Sequence, residues 1–123
     1  MTPFGARLRN LRAERGMTLK DMAAALGLSA AYLSALEHGH RGQPGSGLIL
    51  EICGILDLDW EDEESLKELA QLSKPKVTLD TGGLNPEATL FANELAGAMR
   101  RLQEHDFKSL REYLKALTPK KTR

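Results

Sequence analysis

A chain of 123 residues with only 5% aromatic side chains buries a modest, mainly aliphatic core, enough for one compact domain with an appendage or for two small modules. Its formal net charge is zero but unevenly spread: residues 1–50 carry six Lys and Arg against three acids (+3), residues 51–70 carry Lys67 against eight acids (−7), and residues 71–123 return +4. Because physiological salt confines a surface field to about 8–10 Å, a basic module in a neutral chain still draws phosphates, with the acidic middle expected to face away.

Phe4, Leu8, Leu11 and Met17 make the apolar stripe of a first helix, with Arg7, Arg9 and Arg15 outside it on what is ordinarily a solvated face. Thr18 is a good N-cap for a second helix whose Leu19, Met22, Ala23 and Leu26 follow helical spacing. Gly27 supplies a positive φ, Ser29 caps a third helix carrying Leu33 and Leu36 on one face, and Gly39 ends it. Small residues from Ala23 to Ala25 let the two short helices cross closely, as a helix-turn-helix requires. The expected function is sequence-specific DNA binding. Thr18 and Lys20 stand at the start of the second helix, whose free N–H groups suit an anion.

On the third helix Ala30, Ala31 and Ala35 offer methyl contacts to thymine, while Tyr32 and Ser34 are the polar readers. Few readers imply that DNA shape contributes to specificity. The glycine-rich stretch from Gly39 to Gly47 is a loop; as an ordinary connector it needs no function, but His38, His40, Arg41 and Gln43 are placed to approach phosphates or base edges. Ser46 or Gly47 opens the fourth helix with free N–H groups.

His38, His40, Cys53 and His105 lack a zinc spacing, so no metal is expected. Cys53 shares a stripe with Ile49, Ile52 and Leu56, where a small apolar cysteine is normal core rather than a redox sensor. The acidic run from Asp57 to Glu64 lacks the glycine and terminal Glu of a calcium loop and reads as a helix start capped by Asp59, with Leu66, Leu69 and Leu72 on the apolar face and Trp60 sealing the core. No histidine, nucleophile or phosphate-cradling loop completes a catalytic carboxylate pair, so neither an enzyme nor a cofactor is expected.

Residues 74–83 shift to a linker or short edge strand bounded by proline and glycines. Asn85-Pro86-Glu87 starts an amphipathic helix with Leu95, Met99 and Leu102 on its apolar side, running to about Glu104, and a second helix follows from Asp106. Its Phe107, Leu110, Leu114 and Leu117, spaced 3, 4 and 3 apart, form a seam that needs a partner: either the first module or a second copy. A second copy is favoured, since a dimer reads two half-sites at high effective concentration. Lys120, Lys121 and Arg123 form a basic tail. No apolar run reaches membrane-spanning length, the N-terminus lacks a charged-then-apolar leader pattern, and one cysteine makes no internal disulfide, so a soluble cytoplasmic protein is expected.

Four motifs in register, Gly5-x-x-Leu8-x-x-Leu11-Arg12, Gly16-Met17-Thr18, Ala23-x-x-Leu26-Gly27-Leu28-Ser29 and Leu33-Ser34-x-Leu36-Glu37-x-Gly39, resemble the Cro/C1-type helix-turn-helix (XRE family) over residues 4 to about 58. The resemblance implies that the helix beginning at Ser29 enters the major groove, with Ala30, Ala31, Tyr32, Ser34 and Ala35 nearest the bases, and that a phosphate lies at the start of the second helix by Thr18 and Lys20. It also implies an ion pair between Arg12 and Glu37 that ties the first helix to the end of the third. Two departures stand out: Leu19 replaces a Gln that contacts phosphate in many members, and the loop after Gly39 is longer than in compact members.

The expected fold is all-α, a lambda-repressor-like five-helix DNA-binding domain (residues 1–73) and a helical C-terminal extension. The linker spans 74–83, a helical dimerisation module 84–118, and the basic tail 119–123. The expected function is a dimeric repressor reading an inverted repeat in double-stranded DNA. The alternative is an antitoxin-like interaction module whose C-terminal helices bind a protein partner while the head represses its own promoter.

Overall fold

The computed structural model of the chain describes residues 1–119, in two units divided between Val77 and Thr78; Lys120, Lys121 and Arg123 of the basic tail lie outside the described residues. Every regular element among the described residues is helical.

The first unit holds α1 (Pro3–Glu14), α2 (Leu19–Leu26), α3 (Ala30–Glu37), α4 (Ser46–Leu56) and α5 (Trp60–Gln71). Helix α1 packs against α2, α3 and α5, while α4 bridges α2 and α5. The core takes Phe4, Leu8 and Leu11 from α1, Met22 and Ala23 from α2, Leu33 and Leu36 from α3, Ile49, Ile52, Cys53 and Leu56 from α4, and Leu66 and Ala70 from α5. Each fully buried large aliphatic side chain here stabilises the unit by about 1.5–3 kcal/mol relative to exposure. Met17 lies at the edge of this core, beyond the end of α1.

Two joints escaped the sequence pattern. Thr2 is buried: its hydroxyl accepts the Gly5 N–H, and both its own N–H (3.0 Å) and its hydroxyl (3.1 Å) donate to the Glu37 carbonyl at the end of α3. Beside it at the start of α1, the buried Ser73 hydroxyl accepts the Phe4 N–H at 2.9 Å and donates to the Leu69 carbonyl. Gly5 is required where α1 meets α3, because a Cβ there would sit 2.1 Å from the Glu37 carbonyl oxygen.

Trp60 does not seal the core; it is 74% exposed, and Leu72 is 64% exposed. Each is six residues from the buried Leu66, which at 100° per residue puts both about 120° round the helix from the core face. Asp59 does cap α5, its carboxylate accepting the Asp62 N–H at 2.8 Å.

In the second unit α6 (Pro86–Ala98) is capped by Asn85 and ends in a single 3-10 turn, Met99–Arg101. The chain extends at Leu102, and α7 runs Glu104–Leu117. The break therefore comes before Glu104, and α7 starts two residues earlier than Asp106. Asp106 instead serves as the third residue of the helix, its carboxylate accepting the Gln103 N–H at 2.9 Å. Residues 74–80 have no regular structure, and no residue from 78 to 119 is buried.

Candidate nucleic-acid interface

Helices α2 and α3 are joined by a tight turn built as their residues dictate. Thr18 and Asp21 form a reciprocal capping box: the Thr18 hydroxyl accepts the Asp21 N–H at 3.0 Å and the Asp21 carboxylate accepts the Thr18 N–H at 2.9 Å. Those bonds hold the Asp21 carboxyl below its ordinary 3.8. Gly27 takes φ 71°, ψ 28°, and the Leu28 N–H closes the end of α2 on the Ala23 carbonyl at 2.8 Å. Ser29 then caps α3 by accepting the Tyr32 N–H.

Along α3 the buried edge is Leu33, Leu36 and Glu37. Ala31 and Tyr32 are exposed and Ser34 and Ala35 half-exposed, whereas Ala30 leans partly on the core. The guanidinium of Arg41 lies over the Tyr32 ring, 5.4 Å from its centroid. His38 sits at the end of α3 with Nδ1 2.8 Å from the Ser34 carbonyl, and its ring is 6.2 Å from that of His40. Ser29, Tyr32, His38, His40, Arg41 and Gln43 are all exposed. They follow one another along α3 and the segment after it.

The loop after α3 is anchored at two points. Gly39 is buried at φ 83°, where a Cβ would stand 2.9 Å from the Thr2 methyl, and Pro44 is buried too. Helix α4 begins after Gly45 with no side-chain cap, leaving its first N–H groups to other acceptors. At the start of α2 the outward groups are Thr18, Lys20 and Asp21, all exposed. Lys20 is the cation there, beside the Asp21 carboxylate.

The Arg12–Glu37 pair is present. Arg12 Nη1 donates to Glu37 Oε2 between side chains only 8% and 2% exposed. Arg7 of α1 and Arg15 at its end also serve the fold. Arg7 pairs with Asp62 at 3.7 Å, and Arg15 donates from Nε to the Leu56 carbonyl at the end of α4 and from Nη1 to the Leu11 carbonyl, both at 3.2 Å. Arg15 stands at the very end of α1, and an acceptor carbonyl 41 positions away leaves no local signal in the sequence.

No group of three or more His, Cys, Asp or Glu side chains is placed to hold a metal ion among the described residues. Burial, and then Glu63, push the Cys53 thiol up from its ordinary value, away from the thiolate a redox sensor uses. No helix among the described residues is long and apolar enough to cross a membrane.

The seam residues of the second unit are unburied. Leu95, Leu102 and Phe107 are half-exposed, and Met99, Leu110, Leu114 and Leu117 are exposed.

Comparison with known proteins finds helix-turn-helix regulators. The chain is 37% identical over 62 residues to the uncharacterized HTH-type transcriptional regulator RghRB of Bacillus subtilis (strain 168) and 39% identical over 61 residues to the HTH-type transcriptional repressor RghR of the same strain. Each match covers 50% of this chain and 45% of the relative, so it spans under half the length of either Bacillus protein. A shorter stretch of 33 residues, 27% of this chain and 26% of the relative, is 61% identical to the HTH-type transcriptional regulator DdrOP3 of Deinococcus deserti. No solved structure gives a significant match. A family model described as a helix-turn-helix domain matches residues 3–66, just over half the chain and all of α1 to α4, and the chain belongs to that helix-turn-helix family.

Proposed function

We propose that the protein is a DNA-binding transcriptional regulator, a soluble cytoplasmic repressor that reads an inverted repeat as a dimer. Residues 1–73 form the reader and residues 84–118 the dimerisation module. The observation that carries the reading is the exposed set Ser29, Ala31, Tyr32, His38, His40 and Arg41 along and just after α3, with the Arg41 cation set over Tyr32. In that reading α3 enters the major groove, and Ala31, Tyr32, Ser34 and Ala35 face base edges. Ala30, partly packed on the core, sits at the margin. Thr18, Lys20, His38, His40, Arg41 and Gln43 meet the flanking backbone or bases. The names of the Bacillus and Deinococcus relatives, regulators and a repressor, support the class.

The dimer reading draws support from the second unit. Two helices with no buried residue and an apolar face do not repay the entropy of ordering by themselves. The same face also supports the antitoxin-like alternative, in which a different protein covers Phe107 to Leu117. Titration of the protein with duplex DNA at several salt concentrations tests DNA reading. The affinity is expected to fall linearly on a log–log plot, by about 0.9 per phosphate neutralised, and an affinity indifferent to salt contradicts it. The mass of the free protein in solution separates the two partners: a stable homodimer supports the first reading, and a monomer turns the search to a protein partner.

A further inference from the structure

The outer face of α7 carries more than an apolar seam. Phe107, Leu110, Leu114 and Leu117 fall at the first and fourth positions of two heptads, and the last three are 47%, 59% and 63% exposed. Lys108, Glu112 and Lys115 fall on the side away from that seam. Of the positions flanking the seam, Tyr113 and Thr118 are uncharged and two carry charge: Asp106 stands immediately before the first seam residue and Arg111 immediately after the second.

Those two residues are five apart, the separation at which flanking side chains of two parallel, in-register helices meet across a seam. Run in parallel, each copy sets Asp106 against the second copy's Arg111, twice by symmetry. Run antiparallel, with Phe107 against the second copy's Leu117 and Leu110 against Leu114, the same face sets Arg111 against Arg111, like against like. Asp106 is held in place for this, its carboxylate bonded to the Gln103 N–H at the start of the helix, with His105 Nε2 at 3.2 Å. The strip is thus complementary in charge to itself in one direction only.

We propose that two copies pair through α7 in parallel and in register, Leu110 against Leu110 and Leu114 against Leu114, with Asp106 of each copy facing Arg111 of the other. This rests on the dimer reading of residues 84–118. A helix of 14 residues is too short to pair stably by itself, so the exposed Leu90 and Phe91 of α6 are the apolar surface available to extend the contact.

The test is sedimentation equilibrium of the full-length protein and of Arg111→Ala. Parallel pairing loses two attractive contacts and weakens the dimer roughly two- to thirtyfold in Kd. Antiparallel pairing loses a repulsion and tightens it, so an unchanged or tighter dimer overturns the direction. A second variant, Leu117→Cys, reads geometry: parallel copies place the two thiols side by side and oxidise to a disulfide dimer. Antiparallel copies hold them about 15 Å apart, ten residues along a helix, and give none. The parent protein, whose Cys53 is buried, is the control. A parent that stays monomeric at all concentrations removes the dimer reading itself, whereas a dimer failing both variant tests removes only the parallel pairing.

Discussion

Replacing Arg12 with Met leaves the Glu37 carboxylate buried, 2% exposed, with its cation gone. Stranding one charge of a buried pair costs about 3–5 kcal/mol. A unit of 77 residues has a total stability of roughly 4–12 kcal/mol, so this one change removes much or all of it. At about 4–8 °C per kcal/mol for a domain of this size, the expected fall in Tm is roughly 12–40 °C. Thermal melting and urea unfolding followed by circular dichroism measure it. The double variant Arg12→Met with Glu37→Leu is expected to recover most of the loss, because a buried ion pair and an apolar pair of similar volume are often close in stability. The backbone bonds from Thr2 to the Glu37 carbonyl survive both changes. A loss under about 1 kcal/mol for the single variant, the behaviour of a solvated surface pair, would refute the reasoning, as would a double variant weaker than either single one.

Gly5→Ala forces a methyl to 2.1 Å from the Glu37 carbonyl oxygen, so α1 and α3 must separate; overpacking of this kind costs at least about 1–3 kcal/mol and is read from the same urea curves. Tyr32→Ala removes the platform under Arg41, worth about 0.5–1 kcal/mol at an exposed site, and is expected to weaken DNA binding about two- to fivefold through that contact alone, while Tyr32→Phe retains it. Arg41→Ala should weaken binding to all sequences alike if the cation meets phosphate, and a changed preference at one base position marks it as a reader instead. Thr18→Ala removes the cap of α2 at a cost of about 1 kcal/mol by thermal melting. The folded pKa of Asp21 is depressed below 3.8, so its contribution is complete above that value and fades as the pH falls through the folded pKa. Asp21→Asn should therefore lower stability at neutral pH and flatten the acid side of the profile, the two curves converging below the folded pKa.

The local chemistry of the reader was legible because each element announces its own ends. Thr18, Ser29, Asp59 and Asn85 all cap the helices their positions predict, and Gly27 takes the positive φ its turn demands. The Arg12–Glu37 joint came from resemblance, since nothing in the spacing of two residues 25 apart reveals a buried pair. What the sequence concealed depends on how faces rotate or on distant backbone. Trp60 reads as core by residue type, yet its place six residues before Leu66 turns it outward. Thr2 and Ser73 look like ordinary terminal and loop residues, and only the approach of α3 and α1 makes their hydroxyls buried partners. Leu95, Met99 and Leu102 keep helical spacing past the point where α6 gives way to a 3-10 turn, and Asp106, an acid three residues after Gln103, is the capping acid of α7 and not its first residue.

The most direct measurement is selection of bound sequences from random duplex DNA with the full-length protein. An enriched inverted repeat with half-sites about one helical turn apart is the predicted result, and its enrichment should disappear when Tyr32 and Arg41 are both replaced by Ala in a protein that still melts cooperatively. Recovery of no enriched sequence by the folded protein at low salt would contradict the claim that α3 reads DNA.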